Sequence, residues 1–237
     1  KSLGNFVTVR DVFARNDPQS LRLFLLGVHY RGPIQFDTET LPDGRVVFPG
    51  VDEAERRLDY LYTTRERLRG LGESGVTAPA MLPKELLAAR QAGESAVAKA
   101  DAALSDDLNT SVAIAELGEI AKHANEIADL AARRQKDSAF LGGAAVAGRA
   151  LELAMARVTA ELGLLDTNVN DYRARTRARR LHLRGLTAED VQSRVDARVA
   201  ARAAKDFPRS DALRAELESM GVSLHDSPAG TTWTLAV

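Results

Sequence analysis

The sequence predicts a mainly α-helical protein that ends in a small α+β module. Ala and Leu recur at helical spacing through long stretches between residues 51 and 163, and short segments with Gly or Pro separate these stretches. Near the C-terminus, two amphipathic stretches precede two segments that alternate apolar and polar residues, as paired strands do. We therefore expect an N-terminal segment, an antiparallel helical bundle and a compact C-terminal module.

The N-terminal segment is predicted to contain two short helices and a hairpin. Thr8 is a candidate N-cap of the first helix, and Asp17 followed by Pro18 signals the start of the second. Residues 38–50 combine turn-forming residues at 42–44 with an apolar strand pattern. We therefore predict a hairpin-like insertion before the bundle, a kind of feature that is usually a neutral part of the surface.

The central part is predicted to be an up-and-down bundle, because short loops separate helical stretches of similar length. The pair Gly142-Gly143 is expected to separate the last two helices, and Asp107 or Asn109 to cap the third. The four helices are expected near residues 51–71, 83–103, 110–135 and 143–163.

Residues 164–186 are predicted to be a basic linker, because arginines dominate this stretch and core candidates are few. We expect a solvated, flexible tether, with phosphate contact as the functional alternative. The arginines are Arg173, Arg175, Arg177, Arg179, Arg180 and Arg184.

The last part is predicted to be two helices followed by a hairpin. Thr187 and Asp190 have the spacing of a capping box, so a helix starts there and runs to about Lys205. A second helix is expected from Phe207 to about Met220, followed by two strands joined by a turn. The chain thus divides into four predicted segments, 1–50, 51–163, 164–186 and 187–237.

Composition excludes several kinds of site. The chain has no cysteine, so disulfides, thiolate metal sites and cysteine nucleophiles are excluded, and its four histidines are not paired at helical spacing. We expect no metal site, and the sequence contains no complete P-loop, G-x-S-x-G or H-E-x-x-H motif. No apolar run approaches the roughly 20 residues of a membrane span, so we expect no membrane partner.

Charge points to the C-terminal part as the place to look for a polyanionic partner. The whole chain is nearly neutral, with 32 basic and 33 acidic side chains, but residues 173–237 carry twelve Lys or Arg against eight Asp or Glu. The acidic residues elsewhere follow helical patterns that are typical of solvated faces. For Asp106-Asp107, a paired-acid site is the alternative to a capping role.

The best candidate site is in the C-terminal module, where Arg202, Lys205, Phe207, Arg209 and Asp211 are expected at one helix–helix junction and Asp226 in the final turn. Arg202 can donate to base carbonyl edges, Phe207 can stack on an unpaired base, and Asp211 and Asp226 can accept from base amino groups. Single-stranded RNA loops are read with this chemistry. The alternative interpretation is that these are ordinary charged helix ends and that Phe207 belongs to the core.

Several motifs, in order along the chain, resemble the cysteinyl-tRNA synthetase family. The opening Lys1-Ser2-Leu3-Gly4-Asn5-Phe6 is similar to the second half of the K-M-S-K-S loop of class I aminoacyl-tRNA synthetases and its continuation. Asp106-Asp107-Leu108-Asn109-Thr110 is similar to the D-D-[FL]-N-T signature of the helical domain. Further similar stretches lie at 8–12, 21–26, 29–31, 203–207, 210–214, 220–222 and 226–233.

The resemblance implies an enzyme that joins cysteine to its tRNA through an ATP-derived cysteinyl-adenylate. It implies ATP with Mg and a zinc ion for the complete enzyme, whose catalytic domain we expect upstream, because this chain opens with Lys1 and not Met. By resemblance, Lys1 contacts ATP phosphates and stabilises developing charge. We expect at most marginal ATP contact through Lys1 here, and we expect this chain to be inactive as a ligase by itself.

The resemblance also assigns roles along the chain. Residues 8–36 would be the stem-contact fold, 51–163 the DALR-type helical domain and 187–237 the anticodon-binding module. Arg202, Asp211 and Asp226 correspond to family residues that read anticodon bases, and Phe207 stands where some members have Trp. The implied partners are cysteine tRNA and the catalytic domain, and the expected state is a cytoplasmic monomer.

Two alternatives remain open on the sequence. One is the paralogous ATP-dependent cysteine ligase of mycothiol synthesis, which transfers cysteine to an amino sugar. The other is a non-catalytic helical interaction module, which the near-neutral net charge favours.

Overall fold

The computed structural model describes residues 6–42, 44–72, 77, 79–227 and 230–237. Two compact units are present, one formed by Asp17–Val169 and the other by Lys1–Asn16 with Asn170–Val237. The helices are α1 (Val9–Arg15), α2 (Pro18–Leu26), α3 (Pro49–Gly72), α4 (Lys84–Ser105), α5 (Thr110–Arg133), α6 (Ser138–Leu162), α7 (Val169–Arg184), α8 (Ala188–Ala203) and α9 (Phe207–Ser219). The strands are β1 (Glu39–Thr40), β2 (Val46–Val47), β3 (Val222–Ser227) and β4 (Gly230–Leu235). The mainly α fold class is confirmed.

Both predicted N-terminal caps are confirmed. Thr8 forms a capping box with Asp11, in which the Thr8 hydroxyl accepts from the Asp11 amide at 3.2 Å and the Thr8 amide donates to the Asp11 carboxylate at 2.8 Å. Asp17 accepts from the Gln19 amide at 3.0 Å and so starts α2. These short helices start where side chains satisfy amide groups that have no partner within the helix.

The predicted hairpin is confirmed as the antiparallel pair β1–β2. Gly44 has a φ of 84°, which a side chain disfavours, and its amide donates to the Leu41 carbonyl at 2.9 Å. Asp43, the middle residue of the predicted turn, lies outside the described residues. Beside the hairpin, the Phe36 ring contacts the rings of Phe24 and Phe48, with centroids 5.7 and 5.6 Å apart. The insertion is thereby joined to α2 by apolar contact.

Helices α3 to α6 form the expected antiparallel bundle, in which α6 packs on α3, α4 and α5. Its core is built from aliphatic side chains at helical spacing, and each fully buried one stabilises the fold by roughly 1.5–3 kcal/mol. Completely buried examples are Leu58, Leu86, Leu117, Ile120, Leu151 and Met155.

The expected break at Gly142-Gly143 is wrong. Helix α6 begins at Ser138, where the Asp137 carboxylate accepts from the Phe140 amide at 2.9 Å, and both glycines are buried inside the helix. A Cβ atom at residue 143 would lie 2.9 Å from the Leu86 side chain of α4. Gly143 therefore allows two helices to approach closely, a tertiary reason that outweighs its low helix propensity.

Helix α6 is also the one helix in the described part of the chain that is long and apolar enough, by composition alone, to cross a membrane. The sequence did not predict this feature, because polar residues interrupt the apolar run of this helix. About half of the stretch is buried inside the bundle, which is typical of a core helix.

The flexible linker predicted at 164–186 is also wrong, because most of this stretch is helix α7. Tyr172, Thr176 and Leu181 are buried on α7. Arg177, Arg180 and Arg184 donate to backbone carbonyls of the C-terminal strand segment, namely those of Trp233, Leu235 and Ala236, at 3.2, 3.1 and 2.9 Å. These arginines therefore stabilise the fold. Because arginines dominate this stretch of the sequence, the buried positions between them were not recognised as core candidates.

The C-terminal module has the predicted order of two helices and a hairpin. Thr187 and Asp190 form the expected capping box, and β3 pairs with β4 in antiparallel register. The Trp233 indole N–H donates to the Gln192 side-chain oxygen at 2.9 Å, which satisfies the polar atom of a buried ring. The buried core consists of Leu181, Val191, Val195, Leu217, Val222, Trp233 and Leu235.

Candidate nucleic-acid interface

The candidate site lies where α8 ends and α9 begins. Arg202 is in the last turn of α8, and Phe207 is the first residue of α9. Lys205 between them has a φ of 60°, and Asp206 starts α9 by accepting from the Arg209 amide at 3.2 Å. A tight reversal of the chain therefore places Arg202 and Phe207 at the same helix–helix junction.

Asp226 lies on β3 and not in the turn where the sequence analysis placed it, because β3 continues to Ser227. Its carboxylate is at the centre of the site. Arg198 donates to both carboxylate oxygens, at 3.1 and 2.9 Å, and Arg202 donates to Oδ2 at 2.9 Å. The Thr231 hydroxyl donates to Oδ1 at 2.6 Å. Four donors thus saturate the acceptor sites of one carboxylate and fix its orientation.

These donors also set the electrostatics of the site. The hydrogen bonds from Arg198, followed by that from Thr231, hold the pKa of Asp226 well below its ordinary value. The hydrogen bond to Asp226 in turn raises the pKa of Arg198. Because the depressed pKa favours the ionised carboxylate, the cluster carries two positive charges and one negative charge at neutral pH.

Exposure divides the cluster into a buried part and an accessible part. The Arg198 side chain is only 7% exposed, whereas that of Arg202 is 58% exposed and that of Asp226 is 43% exposed. Phe207 is 58% exposed, so the alternative that it belongs to the core is wrong. Asp211 is also exposed and, among the described residues, forms no hydrogen bond or ion pair.

The structure therefore brings Arg202 and Asp226 into direct contact and leaves Phe207 and Asp211 as accessible side chains on α9. The sequence analysis missed Arg198 and Thr231. Arg198 lies one helical turn before Arg202, and that spacing could have predicted a shared partner. Thr231 is the cross-strand neighbour of Asp226, which requires the hairpin register.

This arrangement can recognise the edge of a nucleobase. Arg202 uses a single N–H on Asp226, so its other N–H groups can donate to a ligand, and a planar donor fork matches O6 and N7 of guanine. The Asp211 carboxylate can accept from an exocyclic amino group, and the Phe207 ring offers a stacking surface.

A second polar cluster joins the segment after α2 to the α4–α5 turn. Arg31 donates to both oxygens of the Asp107 carboxylate at 2.8 and 2.9 Å, and the Tyr30 hydroxyl donates to it at 2.6 Å. These hydrogen bonds, that from Arg31 first, lower the pKa of Asp107, and the bond to Asp107 raises the pKa of Tyr30. Asn109, and not Asp107, caps α5. Asp107 is therefore not the helix cap but links the segment after α2 to the α4–α5 turn, and the cluster of Tyr30, Arg31 and Asp107 is hereafter the Asp107 clasp.

The described residues do not fit the zinc ion that the resemblance implies for the complete enzyme. No three His, Asp or Glu side chains lie close enough in the described ranges to hold a metal ion, and the chain has no cysteine. Lys1, the predicted ATP contact, lies outside the described residues.

Comparison with protein families gives two matches. Residues 1–45 match the family described as "tRNA synthetases class I (C) catalytic domain", and residues 99–165 match the DALR domain. The second match includes Asp107 and the whole of α5 and α6.

Similar proteins are named cysteine–tRNA ligases. One from Anaeromyxobacter sp. (strain K) is 40% identical over 98% of this chain and 42% of its own length. One from Oleidesulfovibrio alaskensis is 35% identical over 100% of this chain and 45% of its own length. The chloroplastic/mitochondrial enzyme of Arabidopsis thaliana is 35% identical over 100% of this chain and 39% of its own length.

The chain thus spans less than half the length of these relatives, while almost all of it is aligned with them. The catalytic-domain match precedes the DALR match along the chain. Together these findings place the chain in the cysteinyl-tRNA synthetase family, as the counterpart of the C-terminal portion of those enzymes, from the end of the class I catalytic domain through the DALR domain.

Proposed function

We propose that this chain is the tRNA-binding part of a cysteine–tRNA ligase and that its module at 187–237 reads the anticodon loop of cysteine tRNA. The observation that carries the proposal is the exposed Arg202 guanidinium, held by Asp226 beside the accessible Phe207 and Asp211 side chains. The names of the relatives favour tRNA over an amino sugar as the acceptor.

The geometry favours recognition of unpaired bases. The Arg202 guanidinium lies on α8, and the Phe207 ring and the Asp211 carboxylate lie on α9, the two helices of one junction. Unpaired bases of an anticodon loop present their faces and their Watson–Crick edges, which paired and stacked bases hide. Phe207 retains a stacking surface where some family members have Trp, without the indole N–H.

Roles for the other segments are part of the same proposal. Residues 8–36 would contact the inner side of the tRNA, and the bundle would be a helical spacer that also contacts the tRNA. The α7 arginines that bind β4 carbonyls are used for folding, so we assign phosphate contact to the anticodon module and not to a tether.

For the complete enzyme, we propose adenylation of cysteine with ATP and Mg, and a zinc site formed outside this chain. Because only residues 1–45 match the catalytic domain, we expect this chain alone to show no ATP–pyrophosphate exchange with cysteine. Measurable exchange from the purified chain would contradict this. We propose a cytoplasmic monomer, although the Arabidopsis relative is named for organelles.

Binding to cysteine tRNA, and to the same tRNA with its anticodon changed, across a salt series tests the proposal. We expect weaker binding to the changed tRNA at every salt concentration, because base contacts add to the phosphate term. Equal affinity for the two tRNAs, decreasing steeply with salt, would indicate contact with the phosphate backbone only and would contradict anticodon reading. A folded chain that binds neither would favour the amino-sugar ligase or the interaction module.

A further inference from the structure

Arg198 contacts the candidate site from its buried side. Its side chain is buried, so it is shielded from a nucleic-acid ligand, yet it holds both oxygens of the Asp226 carboxylate. Arg202, one helical turn later and exposed, binds one of the same oxygens. The two arginines therefore share one carboxylate but face different environments.

The shared carboxylate links the orientation of the two arginines. A bidentate guanidinium–carboxylate pair is planar, so Arg198 leaves Asp226 a single orientation, and Thr231 supports it from β4. Once Oδ2 is fixed, the Nη1 donor of Arg202 has a fixed acceptor. An exposed arginine otherwise samples many rotamers, and binding would have to order it.

We propose that Arg198 is a positioning residue for base recognition, which fixes the Asp226 carboxylate so that this carboxylate aims the Arg202 guanidinium at an RNA base. The inference rests on the proposed anticodon reading and adds a residue that does not touch the ligand.

The chemistry of the Arg198 position supports this role. Its Nε is buried and has no hydrogen-bond partner among the described residues. An apolar side chain would avoid that unsatisfied donor, so stability alone does not account for an arginine here. The Asp211 charge also raises the pKa of Arg198, by less than the hydrogen bond to Asp226 does.

The test measures the ratio of dissociation constants for the anticodon-changed and cognate cysteine tRNA, using the full 237-residue chain. Arg198→Met removes the bidentate contact and keeps an apolar stem. We expect the ratio to fall by about tenfold, the range that one bidentate base contact supplies, with an unchanged salt slope because Arg198 is shielded from phosphates. Arg198→Lys should recover only part of the ratio, since an ammonium cannot bind both oxygens in a plane.

Arg194→Met is the matched control, because Arg194 is on the same helix, is more exposed and pairs with Glu216 at 2.7 Å instead. It should leave the ratio unchanged. Adding Arg198→Met to Arg202→Met should cause no further loss, since the proposed effect passes through Arg202. An additive further loss would contradict the proposal.

Thr231→Val keeps the test decisive if Arg198→Met fails to fold. Thr231 is partly exposed, and this substitution removes the hydroxyl that donates to Asp226. We expect the ratio of dissociation constants to fall by less than in Arg198→Met. A folded Arg198→Met with the wild-type ratio, or an unchanged ratio in Thr231→Val when Arg198→Met is unfolded, would overturn the proposal. If the wild-type chain binds both tRNAs equally, the result contradicts the proposed anticodon reading on which this inference rests.

Discussion

The bundle of α3 to α6 and the C-terminal module are held together by different interactions. The bundle buries many aliphatic side chains, and its glycines let helices approach closely. The module has a core of seven buried residues and adds arginines that donate to the backbone carbonyls of its last strand segment. A small module with few apolar side chains thus adds charged hydrogen bonds to its own backbone.

Truncation of a bundle core residue should give the largest change in stability. Leu151→Ala removes a completely buried side chain that faces Gly93 of α4, and we expect a loss of about 2–5 kcal/mol in the free energy of unfolding. Urea unfolding followed by far-UV circular dichroism measures it.

The control for that loss is Leu153→Ala, on the same helix but 56% exposed. It should change the unfolding free energy by less than about 0.5 kcal/mol. Equal losses in the two variants would mean that burial does not distinguish these positions.

Removal of an arginine that binds a carbonyl should be the next largest effect. Arg180 is buried and donates to the Leu235 carbonyl at 3.1 Å. Arg180→Met leaves a carbonyl without this donor, so we expect the module to lose about 1–3 kcal/mol. The fluorescence of Trp233, the single tryptophan and part of the module core, reports this transition in urea.

Arg214→Met is the charge-matched control, because Arg214 forms an exposed pair with Glu218 on α9. Little change is expected there. A loss in Arg214→Met as large as in Arg180→Met would indicate that net charge, and not the carbonyl contact, stabilises the module.

The module should also respond to acid through Asp226. The folded-state pKa of Asp226 lies below its unfolded value, so its contribution is present above the unfolded pKa of about 3.9 and is lost as the pH falls towards the folded value. Because the side chain is partly exposed, we expect this contribution to be about 1 kcal/mol or less.

Trp233 fluorescence in urea at pH 5 and pH 3 measures that contribution as the difference between wild type and Asp226→Asn. The difference should be larger at pH 5. Asp190, whose pKa is also lowered by its capping box, titrates in both proteins and cancels. A difference that does not change with pH would show that Asp226 stabilises the module by shape and not by charge.

The sequence predicted the features that depend on local chemistry. The N-cap at Thr8, the capping box at Thr187, the start at Asp17 and the order of helices in the module are confirmed because the residues involved are near neighbours in the chain. The pair Gly142-Gly143 was wrongly predicted to break the helix, because the reason for a glycine at 143 is a contact with α4, which is distant in sequence.

In the candidate site, too, local chemistry could be predicted from the sequence, whereas contacts between residues distant in sequence could not. Arg202, Phe207, Asp211 and Asp226 were found through chemistry and resemblance, and their roles in RNA binding stay predictions. Arg198 was missed because a buried arginine on an Arg-rich chain gives no compositional signal. Its importance depends on a contact with β3 that only the folded structure shows.

The smallest predicted effect concerns backbone strain in the turn between α4 and α5. Leu108 has a φ of 53°, which disfavours residues with a Cβ atom, and its side chain is 61% exposed. Leu108→Gly should relieve this strain, and the gain should exceed the extra freedom that glycine gives the unfolded chain. Leu108→Ala removes the same exposed side chain but keeps the Cβ atom, so we expect the glycine variant to be more stable by about 0.5 kcal/mol in urea unfolding. Equal stabilities would mean that the Asp107 clasp, and not the conformation of Leu108, sets the energy of this turn.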